Sequence, residues 1–164
     1  MVYKDFVTSF IRHWNFTRSE TLEILGSLDD EKLQFKPKGE KWQALFWEFG
    51  CIGRTQLVYT EAIKTGKMDF SLFESPKLSP KDEFKTKADI LKSLEKINKE
   101  WREAIVNRRG DEDFKIAWPG FKMSLPVHIS SLVAHERLHH GQFISYFTLA
   151  GFELPKGFKT NWAL

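Results

Sequence analysis

Residues 135 to 142, HERLHHGQ, hold the densest set of metal-binding side chains in the chain, and they admit three readings. His135-Glu136-Arg137-Leu138-His139 fits the HExxH of zinc proteases, Glu136 to His139 fits the Glu-x-x-His of di-iron bundles, and His135 with His139 is a plain HxxxH pair. At 100° per residue the two histidines of a helix at this spacing point within about 40° of each other, one turn apart, where both can hold one ion. Leu132, Gln142 and Tyr146 fall on the same stripe, so the pair faces a core. Two imidazoles buried without partners would cost on the order of a few kcal/mol, and coordination is the simplest relief. His128 projects the same way but about 10 Å further along the axis, a weaker ligand candidate. His140 points about 100° away and reads as a supporting or interface residue, and His13 as either core or surface.

The three readings are unequal. A di-iron bundle needs a second Glu-x-x-His and two further inward glutamates, and only Glu136 to His139 is present. A metzincin would carry Gly where Gln142 stands and His where Ser145 stands, leaving Glu153 as the one downstream carboxylate able to substitute. An HExxH protease is therefore the minor alternative, with Glu136 as its base. HxxxH with a third ligand from another helix is the reading that remains.

Four segments carry a helical period and could present such ligands. The first runs from about Tyr3 to Leu25, with Phe6, Phe10, Trp14, Leu22 and Leu25 as its stripe and Gly26 as its stop. The second runs from about Lys41 to Thr65, through Leu45, Phe49, Ile52, Tyr59 and Ile63, with Gly66 as its cap. Gly50 and Gly53 inside it imply close packing. A connection from Lys67 to Lys85, with Pro76 and Pro80, is long for a bundle and must cross the molecule. The third helix starts near Thr86, capped through Asp89, with Ile90, Leu94, Ile97, Trp101 and Ile105 as its stripe, and stops around Gly110. Pro119-Gly120 predicts a small hairpin or ordered loop. The last helix, capped by Ser124 with Pro126 in its first turn, runs to about Ala150, and the tail FELPKGFKTNWAL is too rich in breakers to be helical. The pattern predicts an all-α four-helix bundle with long crossover connections, one domain over residues 1–164.

Composition bounds the partners. Hydrophobic residues make up 41% of the 164, charged residues 29%, and the net charge of +3 is spread without a basic block, so neither nucleic acid nor a membrane surface is expected. Aromatic residues reach 15%, and Trp42, Trp47, Trp101, Trp118 and Trp162 are scattered, which suits core packing better than base stacking. A single cysteine, an N-terminus broken by Lys4, Asp5, Arg12 and His13, and no apolar run approaching about 18 residues point to the cytoplasm.

HERLHHGQFISYFTLAGFELPKGF is similar to the last helix of the DinB-like family of metalloenzymes, an H-x-x-x-H followed by Gly-Gln and then a Leu-Gly and Pro tail. FKPKGEKW and CIGRTQLVYTEAIKTGKMDF resemble the same family's second-helix region, and the resemblance covers nearly the whole chain. The family fold is a four-helix bundle, and its members include metal-dependent thiol S-transferases such as bacillithiol and mycothiol transferases. The resemblance implies a metal-dependent transferase or hydrolase acting on small electrophiles in stress or detoxification. Its cofactors would be a divalent transition metal, zinc or nickel, and a low-molecular-weight thiol, and it would form a homodimer. The family's third ligand is a His in a context similar to H-I-G-R, which here reads Cys51-Ile52-Gly53-Arg54, so the implied ligand set is Cys51, His135 and His139. Thiolate is a good zinc ligand, and the metal deprotonates the thiol it binds. Glu48 and Thr55, one turn either side of Cys51, could face the same cavity, Glu48 as fourth ligand, proton acceptor or solvated charge. Glu136 is read as base or as salt-bridge partner of a Lys or Arg. A second reading makes Cys51 a small buried hydrophobe in a non-catalytic binding or stress-response module that has lost its metal.

Overall fold

The computed structural model describes residues 3–74, 86–108 and 110–164. Its long helices are α1 (Tyr3–Gly26), α3 (Leu45–Thr65), α4 (Lys87–Val106) and α5 (Leu125–Ala150), with short helices α2 (Asp30–Leu33) and α6 (Lys156–Trp162) at one end. Strands β1 (Lys115–Trp118) and β2 (Phe121–Ser124) form a two-stranded antiparallel hairpin before α5. The fold is an all-α four-helix bundle with that small hairpin as its one sheet among the described residues. No described helix is long and apolar enough to cross a membrane.

Local chemistry accounts for most boundaries. Thr86 caps α4 by accepting from the Asp89 amide while its hydroxyl donates to the Asp89 carboxylate. All five residues of the α4 stripe, Ile90, Leu94, Ile97, Trp101 and Ile105, are buried. The hairpin closes on Pro119-Gly120, with Gly120 at φ 84°, the left-handed value that a Pro-Gly turn needs at its second residue. Gly66 ends α3 at φ 74°, again left-handed. Ser124 and Pro126 stand where expected at the start of α5, although the Ser124 hydroxyl makes no cap bond.

Four expectations need correction. The second long helix begins at Leu45, not Lys41, because Ala44 is extended and the Leu45 amide is tied back to the Phe35 carbonyl at 2.9 Å. The face that α1 buries is wider than the apolar stripe: Trp14 and Leu25 are buried and Phe10 and Leu22 pack against the core as expected, but Phe6 is 46% exposed, while Val7, Thr17, Arg18, Glu20 and Thr21 are buried as well. The tail is helical over α6, where Pro155 stands at the N-cap and Phe158 stacks on Trp162 one turn on, at 5.6 Å. Helix α2, capped by the Asp29 side chain, lies between the first two long helices, where no helical period was expected. Pro76 and Pro80 lie outside the described residues.

The contacts fix helix directions. His128, His135 and His139 on α5 meet Tyr59, Thr55 and Glu48 on α3 in descending order, so the two helices are antiparallel. Arg108 reaches the Lys64 carbonyl, so α3 and α4 end together and run parallel. Parallel neighbours cannot be joined by a short loop, which is why the chain needs so long a connection between them.

The apolar core comes in two clusters. One, near the hairpin, gathers Trp14, Tyr59, Ile63, Trp101, Ile105 and Ile129; the other, at the far end, gathers Leu25, Leu45, Phe49, Leu94, Phe143 and Phe158. Between them lies a layer of buried polar residues, among them Arg18, Thr21, Gln56, Glu136, His139 and His140. Phe158 is fully buried against the second cluster, so Phe158→Ala is expected to lower unfolding free energy by about 3–5 kcal/mol in urea titration. A loss below about 1 kcal/mol would show that α6 contributes no core.

Candidate metal centre

The antiparallel crossing of α3 and α5 brings one side chain of the first against two of the second. Cys51, His135 and His139 each offer a ligand atom within 4.8 Å of the others, and they are the one such group of three or more His, Cys, Asp or Glu among the described residues. Cys51 Sγ lies 3.9 Å from His135 Nε2, and the two imidazole rings stand 4.7 Å apart, tilted by 68°. Around a tetrahedral zinc with bonds of about 2.3 Å to sulfur and about 2.0 Å to nitrogen, adjacent donors stand about 3.6 Å apart. The Cys51–His135 distance is close to that separation and the rest lie within 4.8 Å, and the donor set, one sulfur and two imidazoles, fits a borderline-soft divalent ion.

Groups behind the three candidates fix their orientation. His139 Nδ1 donates to Glu48 Oε2 at 2.8 Å, which leaves Nε2 as the free ring nitrogen. The Tyr146 hydroxyl lies 2.8 Å from Glu48 Oε1 and 2.8 Å from the Gln43 carbonyl, with one proton to give to either. Glu48 is thus buried, both oxygens accept hydrogen bonds, and no lysine or arginine pairs with it among the described residues. The solvated-charge reading of Glu48 does not hold. Thr55 Oγ1 comes to 3.3 Å from His135 Nε2, whereas His135 Nδ1 is buried with no protein partner.

The electrostatics follow from this packing. Burial works against a charge on Cys51, but hydrogen bonds from His135 and His139 and the positive charge of His139 outweigh it and bring the thiol down to about 6. Burial likewise works against a charged His139, and Cys51 and Glu48 together push it up to about 9. At neutral pH the protein groups alone therefore form a thiolate–imidazolium pair. Tyr146 is pushed upward by burial and by its hydrogen bond to Glu48.

Glu136 points elsewhere. Its oxygens take two bonds from Arg18, from Nε and Nη2, both at 2.9 Å, and a third from the Thr21 hydroxyl. Burial would raise its carboxyl, yet the Arg18 charge and these bonds lower it. The salt-bridge reading of Glu136 is the one that describes its contacts, and the HExxH reading, which needs this carboxylate at a metal-bound water, loses its base. His140 is fully buried beside Thr21 at 2.7 Å and against the Phe158 and Trp162 rings, and burial brings it to about 4. His128 stacks on Tyr59, donates to the Tyr59 carbonyl at 3.0 Å and is likewise brought by burial to about 4. It stands apart from the three ligand candidates. His13 and Glu153 are exposed.

Sequence reasoning placed Tyr146 on the right stripe without giving it a partner, and missed Arg18 and Thr21. No local pattern marks them, since a buried arginine in a helix looks like any surface arginine until its partner on another helix is known.

The DinB superfamily profile matches residues 13–143. A DinB-like protein from Bacillus cereus ATCC 10987 has a similar structure, with a TM-score of 0.71 and 19% identity over 89% of this chain and 93% of that one. A DinB-like protein from Bacillus subtilis is similar with a TM-score of 0.60 and 19% identity, over 92% of this chain and 96% of that one. At this identity the likeness is one of fold. No curated protein matches the chain.

In chelator-treated protein the ultraviolet absorbance of the Cys51 thiolate is expected to titrate with a midpoint near 6, the thiolate present above it. His139→Ala should move that midpoint up by at least about one unit. A midpoint in the ordinary thiol range in the parent would show that the rings do not meet the sulfur.

Proposed function

Since this chain belongs to the DinB superfamily, we propose that it is a metal-dependent enzyme whose Cys51, His135 and His139 hold a divalent transition ion, zinc or nickel. The observation that carries this reading is the convergence of three donor atoms within 4.8 Å in front of a buried carboxylate, Glu48, that meets no lysine or arginine among the described residues. A cation at the donors would supply the missing positive charge. Bound there, it would act as a Lewis acid toward a thiol or a water with an open coordination position.

The chain's own groups have separable roles in this reading. Glu48 keeps the proton of His139 on Nδ1 and so aims Nε2 at the donors' common point, and Tyr146 fixes the Glu48 carboxylate. Thr55 places a hydroxyl at the open side of His135. The reaction class comes from the resemblance: transfer of a low-molecular-weight thiol to a small electrophile, or hydrolysis, in stress or detoxification. Glu136 has no part in it, because Arg18 holds it.

A homodimer suits the outer face of α5, where Val127, Leu138 and Leu149 are more than half exposed on a helix that also presents Ala134 and Gly141 outward. Light scattering would read twice the chain mass, and Leu138→Glu would return the monomer. A monomeric parent would remove this part of the reading.

The central test is the metal content of tag-free protein. Stoichiometric zinc or nickel is expected in the parent and its loss in Cys51→Ala and His139→Ala, while Glu48→Gln should weaken affinity by about 10- to 100-fold. A metal-free parent that takes up no added zinc or nickel would leave the thiolate–imidazolium pair in a binding module and end the enzyme reading.

A further inference from the structure

Glu48 and Cys51 stand three residues apart on α3, and both meet His139 of α5. Glu48 Oε2 accepts from His139 Nδ1 at 2.8 Å, so the proton of a neutral ring stays on Nδ1 and Nε2 is left as a base. Cys51 Sγ is hydrogen-bonded to His139, and their ligand atoms lie within 4.8 Å of one another. Thiol, imidazole and carboxylate therefore stand in the order of a nucleophile, its base and the group that orients the base. Tyr146 holds the far oxygen of that carboxylate at 2.8 Å. Cys51 is half-buried whereas His139 and Glu48 are buried, so the sulfur stands nearer the surface than its base.

The place of the sulfur in the fold selects the electrophile. Acyl transfer needs hydrogen-bond donors for an oxyanion, commonly backbone N–H groups, and Cys51 sits inside α3, where those groups are bonded within the helix. Conjugate addition needs only a nucleophile and a proton. The sulfur bonds the β-carbon of an α,β-unsaturated carbonyl, the pair of the C=C bond moves toward the carbonyl, and the thiol proton, taken by His139 Nε2, is returned to the α-carbon. Nothing leaves and no co-reactant is consumed. Thr55, one turn past Cys51, brings a hydroxyl to 3.3 Å from His135 Nε2, on the side of the helix where charge would gather on the carbonyl oxygen.

We propose that Cys51 is a covalent modification site for small α,β-unsaturated carbonyl compounds, with His139 as the base that takes and returns its proton and Glu48 as a positioning residue behind it. The adduct is a neutral thioether. Under the metal-dependent reading the same event would remove an anionic donor from the set, but the addition itself requires no ion.

Acrylamide is a suitable probe, and intact-mass spectrometry of chelator-treated, full-length protein follows the addition at neutral pH. Cys51 is the one cysteine of the chain, so peptide mapping identifies the adduct without ambiguity. The folded parent should react about tenfold faster than mercaptoethanol or more, and faster than its own urea-unfolded chain, although half-burial alone would slow it. His139→Ala should lose about tenfold or more, and added imidazole should restore part of that rate. Glu48→Gln, which still accepts from Nδ1, should keep more of the rate than Glu48→Leu, and equal rates in the two would remove the positioning role. A parent no faster than mercaptoethanol or than its unfolded chain, an adduct on another side chain, an undiminished rate in His139→Ala, or a His139→Ala protein indifferent to imidazole would each overturn the inference. The comparison of folded and unfolded parent stands even if a variant fails to fold. Because the reaction is followed on chelated protein, an unreactive Cys51 leaves the metal reading intact, and a parent that takes up no metal leaves the reactive cysteine intact.

Discussion

A buried ion pair sets the arrangement of this bundle. Arg18 on α1 and Glu136 on α5 meet between the two apolar clusters, where each would be costly alone and where only a close pairing with satisfied hydrogen bonds is tolerable. Glu136 also accepts from Thr21, Arg18 also donates to the Gln56 side chain of α3, and Gln56 donates to Asn98 of α4, which accepts from Trp14. One polar chain thus touches all four long helices. Apolar packing alone would leave the helices free to slide by a turn at modest cost. The polar chain permits one axial register, because any shift strands a charge.

That register is what brings Cys51, His135 and His139 together. Along α5, Glu136 and His140 form one pair spaced by four residues and His135 and His139 form another, about 100° round the helix. The first pair faces α1, at Arg18 and Thr21, and the second faces α3, at Cys51, Thr55 and Glu48. Holding Glu136 on α1 therefore turns the two imidazoles toward the sulfur. Sequence neighbours that read as one motif serve two different interfaces, and the short distance between them is a consequence of helical pitch, not of shared chemistry.

The parts of this arrangement legible in the sequence are those governed by local or periodic rules. The α4 stripe, the Thr86 cap and the Pro119–Gly120 turn each depend on residues within a few positions of one another, and each stands where its chemistry puts it. The shared stripe of His135, His139 and Tyr146 is a matter of period alone. What the pattern could not carry is decided across helices. Polar residues in the middle of α1 read as solvent-facing until Glu136 is known to lie opposite, and Phe6 continues the period of Trp14 and Leu25 but lies beyond the part of it that packs on the core. Helix α6 is too short for periodicity to register, and Pro155 reads as a breaker although a proline is tolerated where a helix begins.

The charges of the site argue for what Cys51 contributes. Glu48 is buried with His139 and Tyr146 as its side-chain partners among the described residues, and the thiol beside them is held well below its usual range. In the absence of metal, one imidazolium faces a carboxylate and a thiolate, leaving a net negative charge in a poorly solvated place. A divalent cation with both imidazoles neutral would bring thiolate, carboxylate and ion to zero. With an imidazole in place of the thiolate, the same ion and carboxylate would sum to a net positive charge, which a buried site tolerates less well. With an ion bound, sulfur at this position would match the buried carboxylate behind His139, and donor and orienting group would be coupled through their charges as well as through geometry.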